Sequence, residues 1–482
     1  MVKLVKDILV YGGGDLLFKG MAFALLPVYT RYFSVSEYGT MALLTTLAGL
    51  IGMFSNMGLN NALQRYYLDR EITEAQRPIL VTSGLLTLSL VTLTIIGLAV
   101  LITLQFNAFL QYKYNINWLT LLFCLLTVLP DQLLQYVLDT IRLHFSPWKF
   151  VLVSFIKNLA CILAGLVLTI GFDMGLQGYF AGVMLASLAA VPVAIFMIRH
   201  DLVMGWDTQL TKSLVLYGYP FVFAAMAYWI FGSMDRWMLA ELSTTVETGL
   251  YSIAFKFSAI ILFVNTAFAQ AWAPTVLKMH RDDAGYRQSI SKIFSAWFAL
   301  LTLIGAVLSL FSRELIVLLT PKDYWEAAPV MAVVVMGLVL SGTTQITALG
   351  IAFEKQTRLL AVGAWLAAVV NFALNLFLIP RLGALGAAWT TLFAYGVLSG
   401  FYFFCSQRLH PLPVERGNIL ICFVTIVAVL VATPIIESIT SIPAILLKLL
   451  SILVVVVALY RIVSKQLHQF IVAIRTRSLG PI

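Results

Sequence analysis

The sequence predicts an all-α polytopic membrane protein of about fourteen transmembrane helices. Two six-helix lobes related as a parallel repeat are expected, followed by two additional C-terminal helices. Three observations predict this. Of 482 residues, 61% are hydrophobic and only 11% charged, with a mean hydropathy of +0.95, whereas soluble domains carry about 25% charge. Apolar runs of the roughly 20 residues needed to cross a bilayer recur along the whole chain. Lys and Arg concentrate in alternate connections.

The spans fall at residues 8–32, 38–62, 79–105, 118–141, 149–171, 175–198, 213–240, 248–272, 289–312, 326–352, 358–379, 384–406, 417–436 and 442–463. The connections are too short for a soluble domain. The N-terminus, MVKLVKDILVYGGG, has no small-residue cleavage site and runs straight into the first span, so it does not read as a cleaved signal. Two connections, 64–78 and 275–289, read as amphipathic surface helices.

Orientation follows from the basic residues. Arg31, Lys113, Arg313, Lys322, Arg381 and Lys448 fall on one side, and Lys19, Lys157, Arg236 and Lys256 fall within spans. The other 21 of the 31 share the opposite side. Both termini are therefore expected in the cytoplasm. The net charge of +9 reads as topology signal and attraction to anionic lipid, not a nucleic-acid footprint. All five histidines fall on the basic side, which argues against a histidine proton relay inside the membrane. Cys124, Cys161, Cys405 and Cys422 lie in apolar runs without C-x-x-C spacing. They read as inert thiols, with no metal or disulfide role expected.

The lobes follow from an internal repeat. VSEYGTMALLT (35–45) aligns with TVETGLYSIAF (245–255), placing Glu37 over Glu247 and Gly39 over Gly249. Gln135 falls on Gln345, Gly175 on Gly383 and Gly178 on Gly386. Six spans per repeat keep both copies in one orientation, related by an axis along the membrane normal. The expected domains are residues 1–205 and 206–410, with 411–482 as an addition. Two facing bundles are a transporter architecture.

Charge at mid-bilayer costs at least about 2.5–3.5 kcal/mol on insertion scales, so embedded ionisable residues are functional candidates. In span 1, Asp15 and Lys19 share a helical face at i,i+4. They line a pathway or form a local ion pair. Asp131, Gln135, Asp139 and Arg142 form a stripe along span 4. Such a stripe faces the bundle interior or water, either lining a pathway or bonding helices together. Lys157 lies within span 5 and Lys256 within span 8. In span 7, GSMDRWML (232–239) sets Asp235 beside Arg236. Adjacent helical residues point about 100° apart, so each looks for a different partner. Snorkelling to the headgroups is the competing reading for Arg236, Lys157 and Lys256. If Asp15, Asp131, Asp139 and Asp235 pair or protonate, the four cations leave a cavity suited to phosphate or carboxylate. Asn56 with Asn60, Asn371 with Asn375, and Gln270 add hydrogen-bonding groups suited to sugar or to helix–helix contacts.

There is no GxxxxGK[ST] phosphate loop. No cofactor is expected, and the energy source would be Na+, H+ or the substrate's own gradient. A membrane glycosyltransferase would need acidic catalytic residues on a sizeable external loop, so a non-enzyme is favoured.

Three stretches carry a family likeness: RYFSVSEYGTMALLTTLAGLIGMFSNMGLNNALQRYY (31–67), YGYPFVFAAMAYWIFGSMDRWMLAELSTTVETGLYSIAFKF (217–257) and NLFLIPRLGALGAAWTT (375–391). Within them stand Y-G-x-P at 217–220, S-x-D-R-x-x-L at 233–239 and G-x-Y-S at 249–252. The chain resembles the Wzx-type polysaccharide and O-antigen repeat-unit flippases of the MATE-like superfamily of multidrug, oligosaccharidyl-lipid and polysaccharide exporters. The resemblance implies a bacterial inner-membrane flippase that moves undecaprenyl-diphosphate-linked oligosaccharide to the outer leaflet by alternating access, through a cationic central cavity. On this reading Lys19, Lys157 and Lys256 bind diphosphate and sugar, with Gln135 and Asn56. Arg236 stands near the outer gate, and Asp15 tunes or couples. Polysaccharide polymerase and chain-length proteins are the implied partners. The lipid II branch typically carries an Arg–Asp pair in span 1. Here Asp15 and Lys19 stand instead, at a different spacing. An ion-coupled multidrug exporter is the alternative within the fold, and a membrane scaffold for polysaccharide assembly is the alternative outside transport.

Overall fold

A computed structural model gives the fold. It describes residues 18–478 except 19, 22, 70, 71, 115, 145, 283, 284, 440 and 441, and leaves out the side chains of 273, 274, 282, 442, 461 and 463–478. Asp15 and Lys19 lie outside the described residues. The protein is an all-α polytopic membrane fold. Twelve described helices are long and apolar enough to cross a bilayer. One of them, Thr357–Leu409, contains expected spans 11 and 12. Residues 8–17 of expected span 1 precede the described residues, and its end is the helix Leu26–Tyr32.

The chain divides into two compact units, residues 1–240 and 241–482. In the first, spans 2 to 6 are the helices Val35–Asn56, Arg77–Gln105, Trp118–Leu143, Pro147–Gly171 and Gly175–Met197. The helix Thr208–Leu242 docks on span 2, where the indole nitrogens of Trp229 and Trp237 reach Thr46 O and Oγ1 at 3.3 and 2.9 Å. Trp237, beside Arg236, thus hydrogen-bonds within the protein.

Local chemistry sets the helix ends. Ser34 and Glu37 form a reciprocal capping box at the start of span 2, satisfying orphan N–H groups. Asn117 accepts from Leu119 N at 3.0 Å to open span 4. At the basic end of span 2, Gly58 adopts φ +70° and approaches the backbone of Gly218. A Cβ on Gly218 would stand 2.5 Å from Met57 O, which accounts for the glycine of Y-G-x-P.

Each unit is built around the same helix of the repeat. Span 4 is the most buried of the first unit's apolar helices, and span 10 (Ala327–Phe353) that of the second. Leu59, Leu63, Leu80, Leu134, Tyr136, Ile141, Val153 and Leu214 pack together toward the basic end of the first unit, burying apolar area and the Tyr136 ring. In the second unit, spans 8 and 9 are Thr245–Asp282 and Tyr286–Leu310. Residues 275–289 are therefore not a separate surface helix. Span 8 continues unbroken to Asp282, and span 9 begins at Tyr286.

The aligned glycines Gly175 and Gly383 both adopt φ +54°, a conformation an L side chain rarely holds. Gly175 follows the π-turn Val167–Gly171 and opens span 6. Gly383 kinks the Thr357–Leu409 helix, and Ala384 N just beyond the kink donates to Glu247 Oε2 at 2.6 Å. A carboxylate at a helix N-terminus is favoured there.

The additional helices, Arg416–Glu437 and Ile442–Ser478, pack on the second unit. Lys448 is buried and reaches both carboxylate oxygens of Glu314 at 2.7 and 2.8 Å. Arg313 donates to Glu437 O at 3.0 Å. Lys448 served in the sequence only as a topology count, yet it anchors the last helix.

Candidate functional site

The embedded polar groups of the first unit form two sites. Midway along span 4, Pro130 removes a backbone donor and Asp131 follows it. Lys157 Nζ, midway along span 5, donates to Asp131 Oδ1 at 2.8 Å. Ser187 Oγ, midway along span 6, donates to the same oxygen. Three helices thus converge on one carboxylate at membrane depth. Lys157 and Asp131 are 31% and 36% exposed, so the pair is open on one side and can meet another charged group. Ser187 is buried.

The second site lies nearer the basic end. Asp139 Oδ2 accepts from Asn60 Nδ2 at 2.7 Å, and Oδ1 accepts from Arg142 Nη1 at 3.0 Å. Asn56 Nδ2 donates to Asn60 Oδ1 at 3.0 Å and to Gln132 Oε1 at 3.3 Å. The result is a continuous string, Gln132–Asn56–Asn60–Asp139–Arg142, joining span 2 to span 4. Arg142 also stacks over the Phe150 ring at 4.4 Å. Gln135 is exposed on the same helix.

The sequence stripe therefore splits. Asp131 turns to spans 5 and 6, Asp139 turns to span 2 and also meets the Gln135 side chain on its own helix, and Gln135 is otherwise exposed. Gln132 and Ser187 are site residues that sequence periodicity missed. Gln132 is one residue off the stripe, and a lone serine in an apolar helix carries no pattern. Asn56 and Asn60 are held within the polar string rather than standing free.

In the helix Thr208–Leu242, Asp235 is buried and Arg236 half-buried. Arg236 Nη1 donates to Gly232 O at 2.9 Å. The two adjacent charges do take different environments. Lys256 is exposed on the Thr245–Asp282 helix. Elsewhere in the second unit, Asn375 Nδ2 donates to Asn371 Oδ1 at 3.1 Å and Asn375 Oδ1 accepts from Thr390 Oγ1 at 2.5 Å, all three residues being buried. That trio bonds spans 11 and 12 to each other. Gln270 and Gln345 are exposed. The free thiols Cys124 and Cys422 are buried, and Cys161 and Cys405 partly so. Two open cavities, of about 610 and 460 Å³, sit at helix ends rather than beside the embedded charges.

A family model described as polysaccharide biosynthesis protein matches residues 4–280. The probable low-salt glycan biosynthesis flippase Agl15 of Haloferax volcanii is 21% identical over 383 residues, covering 78% of each chain. Among solved structures, the lipid II flippase MurJ in an inward closed conformation superposes with a TM-score of 0.74 at 14% identity, over 94% of this chain and 99% of that one. An inward-facing multidrug resistance MATE family transporter of the MOP superfamily gives a TM-score of 0.64 at 10% identity, over 80% and 93%. These structures share this fold.

Proposed function

This chain belongs to the polysaccharide biosynthesis protein family, and from that premise we propose that it flips a polyprenyl-diphosphate-linked oligosaccharide, of the undecaprenyl kind in a bacterial inner membrane, from the cytoplasmic to the outer leaflet. The basic end of each bundle would face the cytoplasm. The observation that carries the reading is the Lys157–Asp131 pair, charge kept at membrane depth and left open on one side. A charge pair there costs stability unless it does something else.

In the proposed cycle the two units alternate access to a cavity whose cations meet the diphosphate while the polyprenyl tail stays in lipid. Lys157 exchanges Asp131 for a substrate phosphate oxygen, and Ser187 keeps the released carboxylate hydrogen-bonded. Lys19, Lys256 and Arg236 supply the remaining positive charge, with Gln135 turning to sugar hydroxyls and Asn56 doing so by releasing Asn60 or Gln132. Asp15, Asp139 and Asp235 pair or couple. Na+ or H+ would supply the drive, and polymerase and chain-length proteins would take up the product.

The test is complementation of a strain lacking this gene with Lys19→Ala, Arg236→Ala and Lys256→Ala at matched membrane expression. The expected outcome is loss of surface polymer with lipid-linked repeat units accumulating in the inner leaflet. Normal polymer in all three overturns the cationic cavity and favours the carboxylate-driven exporter. Normal polymer with neutral substitutions at every embedded charge would leave only the scaffold reading.

A further inference from the structure

Two clusters at the basic ends of the bundles are built from the same four parts. In the first unit, His144 Nε2 lies 2.9 Å from Tyr67 Oη and 3.1 Å from Asp201 Oδ1. The guanidinium of Arg77 stands 5.2 Å from the Tyr67 ring centroid. In the second unit, His410 Nε2 lies 2.7 Å from Tyr286 Oη, and its Nδ1 lies 3.1 Å from Glu354 Oε1. Arg287 Nε donates to Tyr286 Oη at 3.2 Å.

The parts occupy matching places in the repeat. Arg77 and Arg287 stand at the starts of spans 3 and 9. His144 and Glu354 both cap the end of the repeat's fourth span. Asp201 and His410 both follow the sixth. The spacing of about 210 residues that relates Glu37 to Glu247 relates each of these pairs too. The tyrosines are not at aligned positions: Tyr67 ends the helix Leu59–Tyr67 that precedes span 3, and Tyr286 is the first residue of span 9. What differs is the chemistry at two places. Imidazole follows span 4 and carboxylate follows span 6 in the first unit. In the second unit, carboxylate follows span 10 and imidazole follows span 12.

An exchange of acid and imidazole between two equivalent positions keeps the bond while reversing who supplies which half. Chance drift at either place alone would leave two acids or two imidazoles together. The histidines are sheltered, His144 at 22% and His410 at 6% exposed, and so is Asp201 at 16%, whereas Glu354 is half-exposed at 48%. Burial, with the Asp201 carboxylate beside it, raises the Tyr67 hydroxyl above its ordinary pKa, keeping it a neutral donor. Around the second cluster, His280 stacks on Phe353 with centroids 4.2 Å apart and meets the Tyr286 ring edge-on.

We propose that the two Tyr–Arg–His–carboxylate clusters are matched clasps, each binding the basic ends of the second, third, fourth and sixth spans of its own repeat into one body, with the acid and imidazole interchangeable between the two places. Side-chain bonds between connections are needed there because loops otherwise open at little cost, and a histidine–carboxylate pair with a tyrosine hydroxyl satisfies its polar groups internally.

The test uses the interchange itself, on the full chain purified in detergent. His144→Glu sets two carboxylates together, and Asp201→His sets two imidazoles together. Each should lower the melting temperature and speed tryptic cleavage after Arg65 several-fold. His144→Glu with Asp201→His reproduces the second unit's arrangement and should restore most of both losses. Tyr67→Phe, which removes only the hydroxyl, should give a smaller version of the single-variant effect. A double variant no better than the worse single overturns the proposal, as do single variants with unchanged melting and cleavage. If the singles fail to accumulate, recovery of the double in the membrane is the same rescue read by yield, and failure to recover counts against the clasp. Neither readout depends on transport, so the clasp and the flippase reading fail separately.

Discussion

Halfway along spans 4 and 5 of the first unit, Asp131 and Lys157 meet at 2.8 Å. At the aligned places in the second unit stand Ser341 and Ala367. Lower on span 4 are Asp139 and Arg142, and their counterparts are Leu349 and Ala352. The second unit keeps the same central helix and the same glycine turn with no charge in these positions. The bundle therefore does not need them to fold, and their presence in one copy points to work done there. The sharpest break of this comparison removes Lys157. Lys157→Ala leaves Asp131 at membrane depth with Ser187 alone. It should abolish polymer export and destabilise the protein by about 2 kcal/mol, less than the roughly 3–5 kcal/mol of a fully buried broken pair because both groups are about one-third exposed. Asp131→Ser with Lys157→Ala installs the second unit's residues. Thermal melting should recover while export stays lost. Recovery of export in that double variant would reduce the pair to a structural tie.

A second break concerns Asp139, buried against Asn60 and Arg142. Asp139→Ala strands the Asn60 amide and half of Arg142, at about 1–3 kcal/mol. Asp139→Leu with Arg142→Ala again copies the second unit and should cost less than the single change, by thermal melting in detergent. If the double is worse, the polar string holds spans 2 and 4 together in a way the second unit achieves by other means, such as the Asn265 Nδ2 bond to Leu338 O at 3.3 Å between spans 8 and 10.

Much of this contrast was legible in the sequence, and the gaps have physical causes. Apolar runs gave the spans because bilayer thickness fixes their length. The repeat was visible because Gly175 and Gly383 both hold a positive φ that other residues disfavour. The embedded ions were conspicuous against apolar neighbours. Their partners were not, since Ser187 lies 56 residues from Asp131 and Asn60 lies 79 from Asp139. Helical periodicity reports a face and is silent on which helix covers it. The clasps escaped for a related reason. His144 and His410 had been read only as residues on the basic side, and an alignment that seeks identical letters misses a pair whose acid and base have changed places. The surface helix expected at 275–289 failed because an amphipathic pattern at a membrane boundary also fits the end of a long span, which is how it folds.

The finest difference between the units lies at the two aligned glycines, where one backbone angle meets two environments. Both hold φ +54°, so Gly175→Ala and Gly383→Ala each carry a backbone strain of about 1–3 kcal/mol. A Cβ at Gly175 has nothing within 4 Å, whereas one at Gly383 would stand 2.6 Å from Glu247 Cδ. That carboxylate accepts the Ala384 N–H at the kink, so it cannot retreat without giving up a charge-assisted bond worth roughly 0.3–1 kcal/mol at a helix terminus. Gly383→Ala should therefore lower the melting temperature more than Gly175→Ala. Glu247→Ala, which empties the space, should cost a few tenths to 1 kcal/mol alone and remove the extra penalty of Gly383→Ala when the two are combined. Equal penalties at the two glycines would mean that the conformation alone sets the cost, and that Glu247 caps the kink without constraining it.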